Sequence, residues 1–179
     1  MNIQKEEHMH TVVQTSAGAY IAEFIGTCAL ILFGAGSIIV THTMIGSSAA
    51  LLVVALAHGL TIACMVSALG AISGGHFNPA VTFGFIVGNK MSKRKAYGYM
   101  IAQLLGAVVA ALALQTLFFT ETWEAAQLGT PMLASNVSFL RGMFIEAILT
   151  FFLMIVIFGT AIDSRAPKVG GLFIGLIIT

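Results

Sequence analysis

The chain has 179 residues, 58% of them hydrophobic and only 8% charged, with a formal net charge of +1. A water-soluble domain carries about 25% charged residues, so this composition excludes an ordinary soluble enzyme and places the chain in a lipid bilayer. The net charge says nothing about partners, and no basic patch suggests nucleic acid.

The first sixteen residues, "MNIQKEEHMHTVVQTS", are polar and contain no apolar core. They read as a polar cytoplasmic tail rather than a cleaved signal, which leaves the first span to direct insertion. Apolar runs long enough to cross a membrane follow at residues 17–40, 48–69, 97–119 and 140–162. A helix needs about 20 residues to cross a hydrocarbon core of about 30 Å. A fifth run begins at Gly170 and is still apolar at Thr179, so the chain reads as truncated. The expected fold is all-α and membrane-integral, one domain over residues 1–179. Cys28 and Cys64 both fall inside apolar runs and form no disulfide framework or metal site.

Between the second and third runs lies "SGGHFNPAVTFG", residues 73–84. Residues of this kind mark a turn, yet the chain continues directly into apolar sequence. Residues 79–88 would make roughly 15 Å of helix at 1.5 Å per residue, half a membrane. Asn78 and Pro79, with Ala80 behind them, form a helix start: asparagine is a strong N-cap, and proline at the first position gives up no hydrogen bond. The glycine-rich approach would leave backbone groups unpaired in lipid, which is tolerated only beside protein or a water-filled cavity. The segment is therefore expected to be re-entrant, with the turn at mid-membrane facing a pore. Gly74, Gly75, His76 and Phe77 would offer backbone carbonyls to a solute, as in other pores, and the Asn78 NH₂ group would point into the lumen. The His76 side chain is expected to act as a structural hydrogen-bonder, since no second ligand completes a metal site.

Charge placement agrees. With the N-terminus inside, Lys5, Lys90, Lys93, Arg94, Lys95, Arg165 and Lys168 are cytoplasmic and only Arg141 is outside. This works only if the segment between the second and third runs enters and leaves on one face. A weak repeat points the same way. "AEFIGTCALILFGAG" resembles "IEAILTFFLMIVIFG", and at one constant offset Glu23 matches Glu146, Thr27 matches Thr150, Leu30 matches Leu153 and Gly36 matches Gly159. Three spans separate the copies, so the second is inverted, a known way to build a membrane-embedded site.

Glu23 and Glu146 are the only carboxylates inside the runs, and a charge there costs at least about 2.5–3.5 kcal/mol by insertion scales. They read either as a relay for protons or cations, or as buttresses that accept N–H bonds from the re-entrant loop. Their matched positions favour the buttress. His58 in "VVALAHGLTIA" and Gln103 in "YMIAQLLGA" fit either packing or function. Small residues four apart, Gly18/Ala22/Gly26, Ala102/Gly106/Ala110 and Gly171/Gly175, read as helix-packing surfaces.

Taken together, "AEFIGT", "GAISGGHFNPAVTFG", "YGYMIAQLLGA" and the glutamate of the fourth run resemble the aquaporin, or major intrinsic protein, family. The resemblance implies six tilted spans and two half-helices, a homotetramer with one pore per subunit in the cell membrane, and passive flow of water or small neutral solutes such as glycerol or ammonia. It implies no cofactor and no enzymatic activity. It assigns Asn78 to the first NPA asparagine, Glu23 and Glu146 to the loop-supporting glutamates, with Gln103 beside them, and Gly74 to Phe77 to the carbonyl ladder. His58 falls where the family places one member of its outer filter, and a histidine there is more similar to plant vacuolar aquaporins. The second NPA motif, the filter arginine and the filter residue of the fifth span have no counterpart in the sequence, and roughly fifty to seventy residues would supply them on the repeat logic. Two other readings stay open: a secondary transporter with broken helices, and a non-conducting truncated family member.

Overall fold

A computed structural model describes residues 17–44, 47–166 and 169–179. The expected cytoplasmic tail, with Lys5, and Lys168 lie outside the described residues. Helix α1 spans Ala17–Met44 and α2 Ser47–Ser73, followed by a short α3, Pro79–Val87, and then α4, Lys93–Leu117. A small helix α5, Thr120–Ala125, and a 3₁₀ turn, Gln127–Gly129, lead to α6, Phe139–Ile157. A π-helical turn, Phe158–Ile162, extends α6, and α7 covers Gly170–Ile178. No strand occurs among the described residues. Helices α1, α2, α4 and α6 with its extension are long and apolar enough to cross a membrane. This is the expected all-α membrane architecture.

The helix ends follow from local chemistry. Asn78, extended at φ −151°, accepts the Ala80 N–H on its side chain, and Pro79 opens α3. At the other end Lys90 N–H donates to the Phe85 carbonyl and Asn89 N–H to that of Ile86. Asn89, at φ 54°, takes the left-handed position. That pair of bonds is a Schellman cap with asparagine in place of the usual glycine, and it ends α3 one residue before the expected Gly88. The third span starts four residues earlier than its apolar run, at Lys93, because Ser92 caps it by accepting the Lys95 N–H. Thr160 Oγ1 donates to the Val156 carbonyl in the π turn.

Small residues set the helix spacing. Gly106 of α4 lies so close to the Phe24 carbonyl of α1 that a Cβ would collide with it, and Gly175 of α7 meets the Gly59 carbonyl of α2 in the same way. Without a hydrophobic drive between helices in lipid, such close backbone approach is what holds them. One apolar cluster, Ile62, Val66, Phe77, Val81, Phe85, Ile157 and Ile174, surrounds the re-entrant segment. A second, Ile39, Leu114 and Ala126, joins the far ends of α1 and α4 to the α5 connection. By contrast, α6 leaves most of its apolar side chains exposed.

Candidate pore site

The segment between α2 and α3 is short and strongly bent. Gly74 and Gly75 have φ of 97° and 66°, and Phe77, with a side chain, has 48°. Left-handed backbone costs an L-residue roughly 1–2 kcal/mol, so Phe77 must be held by its surroundings. One turn of α1 holds it. Glu23 Oε2 accepts the Phe77 N–H at 2.7 Å, and Thr27 Oγ1 donates to the Phe77 carbonyl at 3.0 Å. The Phe77 ring lies against Gly26, where any Cβ would overlap it. Glu23, Gly26 and Thr27 share one helix face by their spacing of three and four.

Glu23 is completely buried. Its Oε1 accepts the Ser73 hydroxyl at 2.6 Å and the His76 N–H at 3.0 Å, and its Oε2 also accepts from Gln103 Nε2 at 2.7 Å. With Phe77 that makes four donors, which fills the acceptor capacity of a carboxylate. From α4, Tyr99 donates its hydroxyl to the Ser73 carbonyl at 2.6 Å, and Gln103 Nε2 also reaches Thr82 Oγ1 at 2.9 Å. Gln103 Oε1 is buried without a partner among the described residues. Thr82 also contacts the Asn78 carbonyl and His76 Nδ1, each at 3.1 Å. The His76 ring packs on Phe85 with 4.0 Å between centroids and meets Tyr99 edge-on at 5.2 Å.

A cavity of about 220 Å³ lies beside this loop, lined by His58, Gly75, His76 and Asn78 on its polar side and by Leu30, Ile62, Val81 and Leu153 among its apolar walls. Asn78 Oδ1 is engaged by the Ala80 N–H at 2.7 Å. Its NH₂ group, without a protein partner among the described residues, is left to donate. His58 Nδ1 lies 2.8 Å from the Val54 carbonyl. A carbonyl only accepts, so in the neutral ring Nδ1 carries the hydrogen and Nε2 is an acceptor. The ring abuts Gly34, where a Cβ would come within 2.5 Å of Nε2. A wider cavity of about 690 Å³ opens on the other side of Gly74, under the π turn and the loop that follows it. In that loop the Arg165 guanidinium, 2.6 Å from Asp163, holds the Asp163 carboxyl below its usual range.

The structure therefore gathers Glu23, Gly74, Gly75, His76, Phe77, Asn78, Pro79, Ala80 and Gln103 around one turn, with His58 across the inner cavity. Two placements differ from expectation. The Phe77 carbonyl is turned to Thr27 and Phe77 lines neither cavity. Glu146 is exposed on α6 and makes no hydrogen bond among the described residues, because no loop donor among them reaches that face. Sequence reasoning missed Tyr99 and Thr82 as members of the network. Thr27 had a signal, its match to Thr150 in the repeat, but no assigned role.

A model of the family described as "Major intrinsic protein" matches residues 10–179. The chain is similar to a probable aquaporin, TIP3-2, of Arabidopsis thaliana, with 39% identity over 91% of this chain and 64% of the relative. It is also similar to a glycerol uptake facilitator-like protein of Lactiplantibacillus plantarum, with 37% identity over 88% of this chain and 70% of the relative. Among solved structures, the aquaglyceroporin of Plasmodium falciparum matches with a TM-score of 0.80 and 30% identity, covering 90% of this chain and 69% of the other. The chain thus spans about two thirds of the length of these relatives.

Proposed function

The chain belongs to the major intrinsic protein family, and from that membership and the geometry of its re-entrant turn we propose a passive channel for water and small neutral solutes that excludes protons and ions. It is a multi-pass integral membrane protein. The observation that carries the proposal is the start of α3. Asn78 Oδ1 is held by the Ala80 N–H, which leaves the NH₂ group to donate, and Asn78 lines the cavity together with Gly75, His76 and His58. A helix N-terminus carries about +0.5 charge. Placed at the midplane, it repels H₃O⁺ and other cations, while the amide donates to each passing water oxygen and turns that water's hydrogens away. A single file of water is thereby prevented from relaying protons.

In this reading Gly74, Gly75 and His76 carry carbonyls along the path, and Glu23 and Gln103 fix the loop from behind. Glu146, at the repeat-related position, is assigned the same supporting task. His58 sets the polarity of the outer part of the cavity. The N-terminus and the basic turn after α3 face the cytoplasm, and the active assembly is a homotetramer in the cell membrane.

The test is flux in proteoliposomes, using protein expressed from its complete gene. Stopped-flow light scattering should show faster water movement than in protein-free vesicles, and a pH-sensitive dye should report no proton current. Asn78→Asp should raise cation leak, because a carboxylate replaces a donor and cancels the helix-end field. Equal leak in both proteins would place the barrier elsewhere, and an absence of water flux would end the channel reading.

A further inference from the structure

The Thr82 hydroxyl meets three polar groups, and together they determine where His76 carries its proton. Gln103 Nε2 lies 2.9 Å from Thr82 Oγ1, and the Asn78 carbonyl and His76 Nδ1 each lie 3.1 Å away. An amide NH₂ only donates, a carbonyl only accepts, and a hydroxyl has one hydrogen and two lone pairs. The contact with Asn78 is attractive only if Thr82 places its hydrogen there. Both lone pairs then face donors, Gln103 on one and His76 on the other, so His76 Nδ1 must bear a hydrogen. If Thr82 instead donated to a bare Nδ1, two oxygens would oppose each other at the Asn78 contact. Thr82 is fully buried, so bulk water offers no alternative partner.

The other ring nitrogen completes the picture. His76 Nε2 has no protein partner among the described residues, and His76 lines the same cavity as Asn78. We propose that Thr82 is a positioning residue that holds neutral His76 as the Nδ1–H tautomer, which leaves His76 Nε2 as an acceptor beside Gly74. This rests on the reading of the cavity as a solute path. A molecule that can donate a hydrogen bond, such as water or an alcohol, finds an acceptor in His76 Nε2. With Nε2–H that acceptor would be lost, and the molecule would meet a donor at His76 instead.

The experiment is solid-state NMR of ¹⁵N-histidine-labelled protein in bilayers, with the His76 signals assigned by their loss in His76→Gln. Wild type should show a protonated Nδ1 and a bare Nε2. Thr82→Val, which keeps the shape and removes the hydroxyl, should move His76 to the other tautomer or to a mixture, and Thr82→Ser should restore the wild-type pattern. Water flux should fall severalfold in Thr82→Val and recover in Thr82→Ser. An Nε2–H signal in wild type overturns the assignment even if Thr82→Val does not fold, and so does an unchanged tautomer in a folded Thr82→Val. A correct tautomer in vesicles no more permeable than empty ones would leave the Thr82 assignment standing and remove the channel reading.

Discussion

Two turns of helix, one on α1 and one on α6, hold the same residue types at repeat-related positions and stand in opposite environments. On α1, Glu23 is fully buried beneath four donors, and Thr27 bonds the Phe77 carbonyl. On α6, Glu146 is exposed, and neither it nor Thr150 makes a side-chain hydrogen bond among the described residues. The position between them differs too: Gly26 admits the Phe77 ring, and its repeat counterpart is Leu149. Among the described residues, then, a carboxylate in a span is engaged where a loop with no ladder of its own delivers N–H groups to it.

The sharpest way to break this comparison is Glu23→Leu. It leaves the His76 and Phe77 N–H groups, the Ser73 hydroxyl and Gln103 without their acceptor, at about 1–3 kcal/mol for each buried group. We expect failure to fold or a drop in thermal stability larger than for any other change here, read by unfolding in detergent. A near-normal melting temperature would mean that the loop is held from elsewhere. Next comes Gly26→Leu, which copies the α6 residue onto α1 and forces the Phe77 ring out of its seat. Overpacking of a fitted site costs typically about 1–3 kcal/mol, and the displaced loop should become accessible to protease in open membranes. Thr27→Val removes one bond to the Phe77 carbonyl and should cost about 1 kcal/mol, with the loop still in place. The smallest effect belongs to Glu146→Leu in residues 1–179, expected within about 0.5 kcal/mol as for other exposed positions. A loss matching that of Glu23→Leu would show that donors from outside the described residues reach it.

Much of the fold was legible because bilayer thickness imposes a length on every apolar run, and four runs met it. The re-entrant turn was legible too, since Asn78 and Pro79 carry a helix-start signal that depends on neither partner nor register. What stayed hidden was long-range or local in an unusual way. Tyr99 reaches Ser73 across 26 positions with no pattern to announce it, and its hydroxyl matters only because Ser73 ends a helix there. Gln103 was ambiguous among apolar neighbours until the structure put Glu23 on one side of its amide and Thr82 below. The small helix α5 lies in a polar connection without periodicity, and Asn89 ends α3 where the eye looks for glycine. Nothing in the chain says that Thr27 will claim the Phe77 carbonyl, which the sequence counts among those offered to a solute.

The clamp on Phe77 also bears on the order in which the chain is made. Glu23, Gly26 and Thr27 leave the ribosome well before the loop they grip, whereas Tyr99 and Gln103 leave after it. When residues 74–77 first emerge, only half of their docking surface exists, and their unpaired N–H groups cannot enter lipid at several kcal/mol apiece. The turn must therefore wait in an aqueous setting, at the insertion machinery or the membrane surface, until α4 arrives to close the site behind it. A pause in synthesis once Gln103 has left the ribosome would give that closure time, and a pause before Tyr99 has left it would strand the loop half-seated and open to degradation.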